Sequence, residues 1–167
     1  MKLERSLVGA CGVFYVSAEL SRRGWVAMPT IRNTRGIDII AAKGGRDVSI
    51  QVKTNSYGKT KYPMSKGNEE LIGDNLFYVL VTLKGENEHP DFYVVPSQLV
   101  ASYIKETHRK FVSMKPTRMP KGKTVEEVRM KRGKSSMRQF PNRLSDVILA
   151  FRDFDINDYK DKWSLLG

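Results

Sequence analysis

The sequence predicts a mixed α/β domain: one long helix, a three-stranded meander, then strand, strand and helix, with a basic C-terminal extension. Three observations predict it. Residues 3–23 carry apolar side chains at helical spacing, residues 25–54 hold three short strand-like runs, and residues 75–83 form a long β-branched and aromatic run. At 167 residues the chain is large enough for a single domain with a sizeable core.

The first helix is expected over 3–23. Leu7, Cys11, Phe14, Tyr15 and Ala18 make one apolar stripe, and Val13, Val16 and Leu20 a second, so the helix is expected to be sandwiched in the core until Gly24 stops it. Residues 25–29 read as a first strand ending at Pro29. Residues 36–41 and 48–54 read as a hairpin across the turn-like stretch Lys43-Gly44-Gly45-Arg46-Asp47. A polar loop over 54–63, with tyrosines among lysines, follows; it suits nucleic acid, or is a surface loop with two half-buried tyrosines. Residues 68–72 suggest a helical turn or two, 91–95 a further strand, and 98–107 a second helix.

One constellation carries chemistry. Strand alternation puts Ser49, Gln51 and Lys53 on one face and Val48, Ile50 and Val52 on the other. Asp38 lies between Ile37 and Ile39 in a run that reads as a strand buried on both sides, where a carboxylate needs a cation or hydrogen-bond donors. Lys53 and Gln51 on the neighbouring strand, or a metal ion, are the candidate partners. A cross-strand Asp–Lys ion pair is the simpler alternative.

The order of elements around Asp38 and Gln51-Val52-Lys53 resembles the PD-(D/E)XK nuclease superfamily, which includes many restriction endonucleases and the archaeal Holliday-junction resolvases. The likeness covers the first 55 residues or so best and the sheet through Pro96 more loosely. It implies a restriction-endonuclease-like core, with the acid at the second strand and (Glu/Gln)-x-Lys on the third. Asp38 then corresponds to the metal-binding carboxylate, Gln51 to its partner, and Lys53 to the residue that orients or activates water. The separation of 51 − 38 = 13 residues suits a tight hairpin. Two departures stand out. Gly9-Ala10-Cys11-Gly12-Val13 has valine where many relatives have a supporting glutamate, and Gln51 replaces the commoner glutamate. The implied magnesium or manganese is therefore weakly bound, with the amide oxygen, the Val52 backbone carbonyl, phosphate and water completing its shell. Glu19, six positions beyond Val13, points to another quadrant of the helix; a solvent-facing or arginine-paired role is preferred over a displaced metal ligand.

Composition points to the partner. Lys and Arg number 29 against 18 Asp and Glu, a net charge of +11 that suits a polyanion without distinguishing DNA, RNA or an acidic membrane surface. Much of it falls in 105–138, read as an arm or long loop over a nucleic-acid backbone or as a solubilising insertion. Candidate phosphate contacts are Arg32, Arg35, Lys59, Lys61, Lys121, Lys123, Arg129, Lys131, Arg132 and Lys134. The expected layout is a core over 1–107, a basic insertion over 108–140, and a helical segment over 141–167 packing back on the core, its helix running from Leu144 to Phe151. An exposed apolar ending with Trp163, Leu165 and Leu166 offers a homodimer contact. No run is apolar enough to span a membrane, the N-terminus has no secretory signature, and Cys11 alone allows no intrachain disulfide; a cytoplasmic setting is expected. Neither His89 nor His108, expected at a helix end, has a partner at zinc-ligand spacing.

Three functions follow, in order of preference: a metal-dependent endonuclease acting on DNA; a nucleic-acid-binding module on the same fold with catalysis weakened or lost; and a basic α/β domain that binds RNA or a protein partner.

Overall fold

The computed structural model describes residues 3–31, 36–56, 61–116, 119–141 and 155–167, without the side chains of 138–141. The expected helix over 144–151 lies outside these residues, as do Arg32, Arg35 and Lys59.

A five-stranded sheet organises the chain in the order β1-β2-β3-β5-β6. The meander β1 (Val26–Pro29), β2 (Ile39–Lys43) and β3 (Arg46–Asn55) is antiparallel throughout. The β2–β3 turn is tighter than the sequence suggests. Only Gly44 and Gly45 lie outside the strands, both at positive φ (57° and 81°), the geometry that two-residue hairpin turns favour. The chain then leaves the sheet and returns as β5 (Leu76–Thr82), parallel to β3, with β6 (Asp91–Pro96) antiparallel at the edge.

Helix α1 (Arg5–Arg22) covers one face. Val16 and Leu20 pack with Ile39, Ala41, Val48, Ile50, Val52, Val79 and Val81 in the first core cluster. The expectation of a helix sandwiched on two sides is corrected. The Val13–Val16–Leu20 stripe meets the sheet, whereas Leu7 and Phe14 on the other stripe are 51% and 69% exposed. Among the described residues no element covers the outer side of α1, so its second apolar stripe stays exposed at Leu7 and Phe14.

The opposite face carries the second cluster, built from Tyr62, Met64, Tyr78, Leu80, Val95, Val100, Tyr103 and Ile104. Helix α2 (Ser97–Ser113) supplies its outer layer and runs past the expected end at 107, which puts His108 inside the helix. The loop expected over 54–63 is also corrected. β3 continues to Asn55, and Lys61–Ser65 forms β4, which pairs antiparallel with β7 (Met137–Pro141) in a second, two-stranded sheet. Tyr62 is fully buried and its hydroxyl pairs with Thr82 Oγ1 at 2.7 Å, so its ring is unavailable to stack on a base. Alternation in β4 drives this: Tyr62 and Met64 turn inward while Lys61 and Pro63 face out.

The basic stretch over 105–138 contains the end of α2, helix α3 (Val125–Lys134) and the start of β7. Thr124 caps α3 reciprocally with Glu127, a pattern readable in the sequence as Thr-x-x-Glu. The tail runs past the β6 edge. Ile156 joins the second cluster, Lys160 bridges Tyr93, and Trp163 and Leu166 enter the first cluster on the α1 side. The apolar ending expected to be exposed is therefore buried at Trp163 and Leu166, because a β-edge left open by the sheet gives it a place to dock. Of the three apolar residues, Leu165 alone is exposed, at 38%.

Candidate active site

Asp38 stands at the mouth of β2, one residue before the strand begins, and not inside a doubly buried strand as expected: the burial pattern of β2 alternates, and Ile40 is exposed. Four hydrogen bonds fix it. Its N–H donates to the Ile50 carbonyl (2.8 Å) and its carbonyl accepts from the Thr30 N–H (2.9 Å). Its Oδ2 accepts from Gln51 Nε2 (2.5 Å) and from the Val52 N–H (2.7 Å). Strand geometry explains the last bond. Ser49 N–H and the Asn55 carbonyl both bond on the β5 side, so the backbone groups of Val52 turn the other way, toward β2. β2 starts at Ile39, opposite Ile50, so Val52 has no ladder partner and the Asp38 carboxylate takes the donor's place. By the same alternation the Val52 carbonyl opens on the edge where Asp38 sits.

Gln51 is buried and gives its amide nitrogen to Asp38, which turns Oε1 toward Gly36. Gly36 (φ 69°) passes so close that a Cβ there would lie 3.0 Å from Oε1 and 2.9 Å from Leu71 Cδ2. Lys53 projects from the same face and is half-buried. Burial pushes its ammonium below the ordinary lysine pKa, partly opposed by the charge of Asp38. Its ammonium donates no hydrogen bond to a described residue; it senses Asp38 through the field alone.

Two residues that sequence reasoning missed complete the wall. Tyr78 faces Gln51 across the β3–β5 register, and its hydroxyl accepts from Asn68 Nδ2 at 3.0 Å. Burial pushes the Tyr78 phenol up to about 12, against the Asn68 bond and with the help of the Asp38 charge. Asn68 is buried in the short 3-10 helix Lys66–Glu69, its Oδ1 accepting from the N–H and hydroxyl of Ser65. A tyrosine within a largely apolar, buried strand was the available signal, since a buried hydroxyl requires a partner.

The other candidates separate. Glu19 is buried, and an arginine-paired role is what it has: its carboxylate meets Arg22 (3.2 Å), Arg23 and His89 (3.4 Å). Burial raises its pKa, but these cations, Arg23 foremost, outweigh it and hold the group below the ordinary value. It lies on the α1 side of the sheet, opposite the face that carries Gln51 and Lys53, and is not solvent-facing. Lys61, Lys121, Lys131 and Lys134 are exposed, and Lys123 pairs with Glu127 at 3.2 Å. Arg129 and Arg132 are engaged within the fold. Arg129 donates to the Ser113 carbonyl (2.8 Å), and Arg132 donates to those of Phe111 (3.1 Å) and Met114 (3.0 Å) while lying over the Phe111 ring. They satisfy carbonyls at the end of α2 that have no helical partner.

Among the described residues no group of three His, Cys, Asp or Glu side chains could hold a metal. The donors at Asp38 are nonetheless all oxygen. Both bonds to its carboxylate fall on Oδ2, no described residue donates to Oδ1, and the Val52 carbonyl opens beside it. Gln51 adds an oxygen if its amide rotates. That set fits a hard divalent ion carrying most of its shell as water and phosphate, at one formal charge.

No protein-family model matches the sequence, and no curated protein does. Among solved structures, the chain is similar to a bacterial homing endonuclease, I-Ssp6803I, with a TM-score of 0.53 at 15% identity over 99% of this chain and 92% of that one. It also matches the Holliday junction resolvase Hjc of Archaeoglobus fulgidus, with a TM-score of 0.40 at 18% identity over 55% and 74% of the two chains. At these identities a likeness speaks for the fold alone. The fold is restriction-endonuclease-like, and the structures it is similar to are nucleases.

Proposed function

We propose that the chain is a metal-dependent endonuclease that hydrolyses DNA phosphodiester bonds at Asp38, Gln51 and Lys53. The observation that carries this reading is the immobilised Asp38 carboxylate. It is held by an amide and a backbone N–H from β3 and pairs with no cation among the described residues, beside a lysine whose charge burial disfavours. Such preorganisation is costly unless the carboxylate has work to do. Asp38 Oδ1 and the Val52 carbonyl would hold magnesium or manganese, which when bound stabilises charge developing on the phosphate. Lys53 orients the attacking water, and its lowered pKa brings it nearer to accepting that water's proton. Lys61, Lys121, Lys131 and Lys134, all exposed, remain to hold phosphates along the strand.

One observation favours a binding module instead. Gln51 presents nitrogen to Asp38, a resting arrangement that locks the acid and offers a metal one oxygen fewer. Cleavage of linear, branched and single-stranded DNA, and of RNA, with manganese or magnesium tests the two. The nuclease reading expects metal-dependent cutting that falls by about 10²–10⁴ in both Lys53→Ala and Asp38→Ala. Absence of cutting by the wild type, with DNA binding kept in all three proteins, moves the assignment to the binding module.

A further inference from the structure

Helix α1 buries one apolar stripe and leaves the other bare. Leu3, Leu7, Ala10, Phe14 and Ser21 are exposed along its outer side, with Ser17 half-buried among them, and no described element covers them. No charged residue occurs from Ser6 to Ala18, in a chain that is 28% charged. A surface helix ordinarily turns charge outward, so this face is built to meet something other than water. A nucleic-acid backbone does not suit it, because none of the six residues is a lysine or arginine that could hold a phosphate.

Positions 3, 7, 10, 14, 17 and 21 are spaced alternately by four and three, the seam along which two helices pair at about 20°. Large and small residues along this seam fit the seam's own reverse. When a second α1 runs antiparallel across a two-fold axis level with Gly12, Phe14 falls on Ala10 of the other copy, Leu7 on Ser17 and Leu3 on Ser21. A large side chain meets a small one at every step. The ends agree. Glu4 and Arg22 are both exposed and lie about five turns apart on one flank, so antiparallel pairing carries each toward the other copy's opposite charge.

We propose that the outer stripe of α1 is a homodimer interface, occupied by the same stripe of a second copy in antiparallel register. The dimer contact thus lies on the N-terminal helix and not on the C-terminal ending, which the fold buries at Trp163 and Leu166. The layers of the pair run sheet, α1, α1, sheet. The sheet faces that carry Gln51 and Lys53 are then outermost, one on each side of the assembly, and both stay open. Two helices about 27 Å long paired along one face bury roughly 1,000 Å² in total, the lower limit of a specific interface, so association falls in the micromolar range. The pairing is independent of the nuclease reading.

Sedimentation of the full chain from about 1 to 200 µM reads the association constant and needs no activity. Salt at about 0.5 M screens the repulsion between two copies that each carry +11. The wild type is expected to pass reversibly from 19.0 kDa toward twice that mass. Phe14→Lys should weaken association at least about tenfold, by placing a charge in the seam. Ala10→Phe and Phe14→Ala should each do likewise, the first by setting ring against ring and the second by leaving a hole. Combined in one chain they restore a large residue opposite a small one, and association should return to within about threefold of wild type. Both positions are exposed, so the variants should melt as the wild type does. A wild type that stays monomeric throughout overturns the proposal. So does Ala10→Phe associating more tightly than wild type, or a double variant no better than the single ones, since either means attraction by apolar area without register. Vesicles of phosphatidylcholine and phosphatidylglycerol supply a further arm. Binding to them that Phe14→Lys abolishes, by a protein monomeric in their absence, assigns the stripe to a lipid surface and overturns the proposal. Should Ala10→Phe not fold, undiminished association of Phe14→Lys overturns it equally.

Discussion

Two carboxylates lie on opposite faces of the central sheet and are treated in opposite ways. Glu19, on the α1 side, is surrounded by Arg22, Arg23 and His89, and Arg23 also stacks over Trp163. Asp38, on the other side, is held among the described residues by neutral donors, with Lys53 close enough to feel it but not bonded to it. A neutralised acid ties helix α1 and the 83–90 turn to the core. An acid held by an amide and a backbone N–H keeps its negative charge available to a ligand. The contrast teaches that burial alone does not mark a functional carboxylate; what matters is whether its compensation comes from charges or from dipoles.

The largest effect that can break this contrast is on cleavage. Asp38→Asn is expected to lower the rate by about 10³-fold while the protein stays folded, because the amide keeps an acceptor for the Val52 N–H but loses the charge. Glu19→Gln should leave cleavage within about twofold and instead cost about 1–3 kcal/mol of stability, since Arg22 and Arg23 lose the counter-charge of a buried carboxylate. Its pH dependence has a definite sign. The folded pKa of Glu19 lies below the ordinary 4.5, so its contribution is present above that value and fades as pH falls through the folded value. Melting curves from pH 7 to pH 3 should show the wild type converging on Glu19→Gln at the acid end. A constant gap across that range would contradict the assignment of Glu19 as an ion-paired anchor.

Gln51→Glu sharpens the comparison from the other side. It sets a second carboxylate against Asp38 in place of the Nε2 donor, so the metal-free protein should lose roughly 1–3 kcal/mol. Manganese should return that stability and bind at least about tenfold more tightly than in wild type, as read from the metal dependence of the melting temperature. A Gln51→Glu protein indifferent to manganese would show that this edge of the sheet is no metal site.

The smallest effect concerns the basic segment. Lys131→Ala and Lys134→Ala together should lower the slope of log affinity against log salt by about 2 on duplex DNA, nearly one for each phosphate that a lysine no longer neutralises, with little change in stability. Arg132→Ala should leave the slope unchanged and destabilise by about 1–2 kcal/mol, because it strips the Phe111 and Met114 carbonyls of their donor. Equal slopes for the lysine and arginine variants would mean that the division between exposed and engaged cations has no bearing on binding.

Much of the core was legible in the sequence, for reasons that are local. The span of α1, the β2–β3 hairpin, β5, β6 and the start of α2 all follow from periodicity and from glycine or proline punctuation. So does the two-sided character of β3, which places Gln51 and Lys53 together, away from α1. The expectations that failed share one cause. Whether the Leu7–Phe14 stripe, Tyr62 or the Trp163 ending is buried depends on how many layers cover each face and on which edges stand open, and periodicity carries neither fact. β4 reads as a loop in the sequence because its alternation is short and its partner, β7, lies more than seventy residues downstream.

The sequence by itself determined the strand that bears Gln51 and Lys53, the nearness of Asp38 to it through a tight hairpin, and the excess of positive charge, since each depends on residues close together or on simple composition. Only the tertiary structure decided which cations are left over. Arg129 and Arg132 are drawn into the end of α2 and His89 reaches Glu19 from the 83–90 turn, while Asn68 reaches Tyr78 through the packing of a separate sheet. Each of these is a hydrogen bond or ion pair between segments distant in the chain. Its existence rests on three-dimensional proximity and on the demand that a buried polar group find a partner, a demand that the order of residues states without naming who answers it.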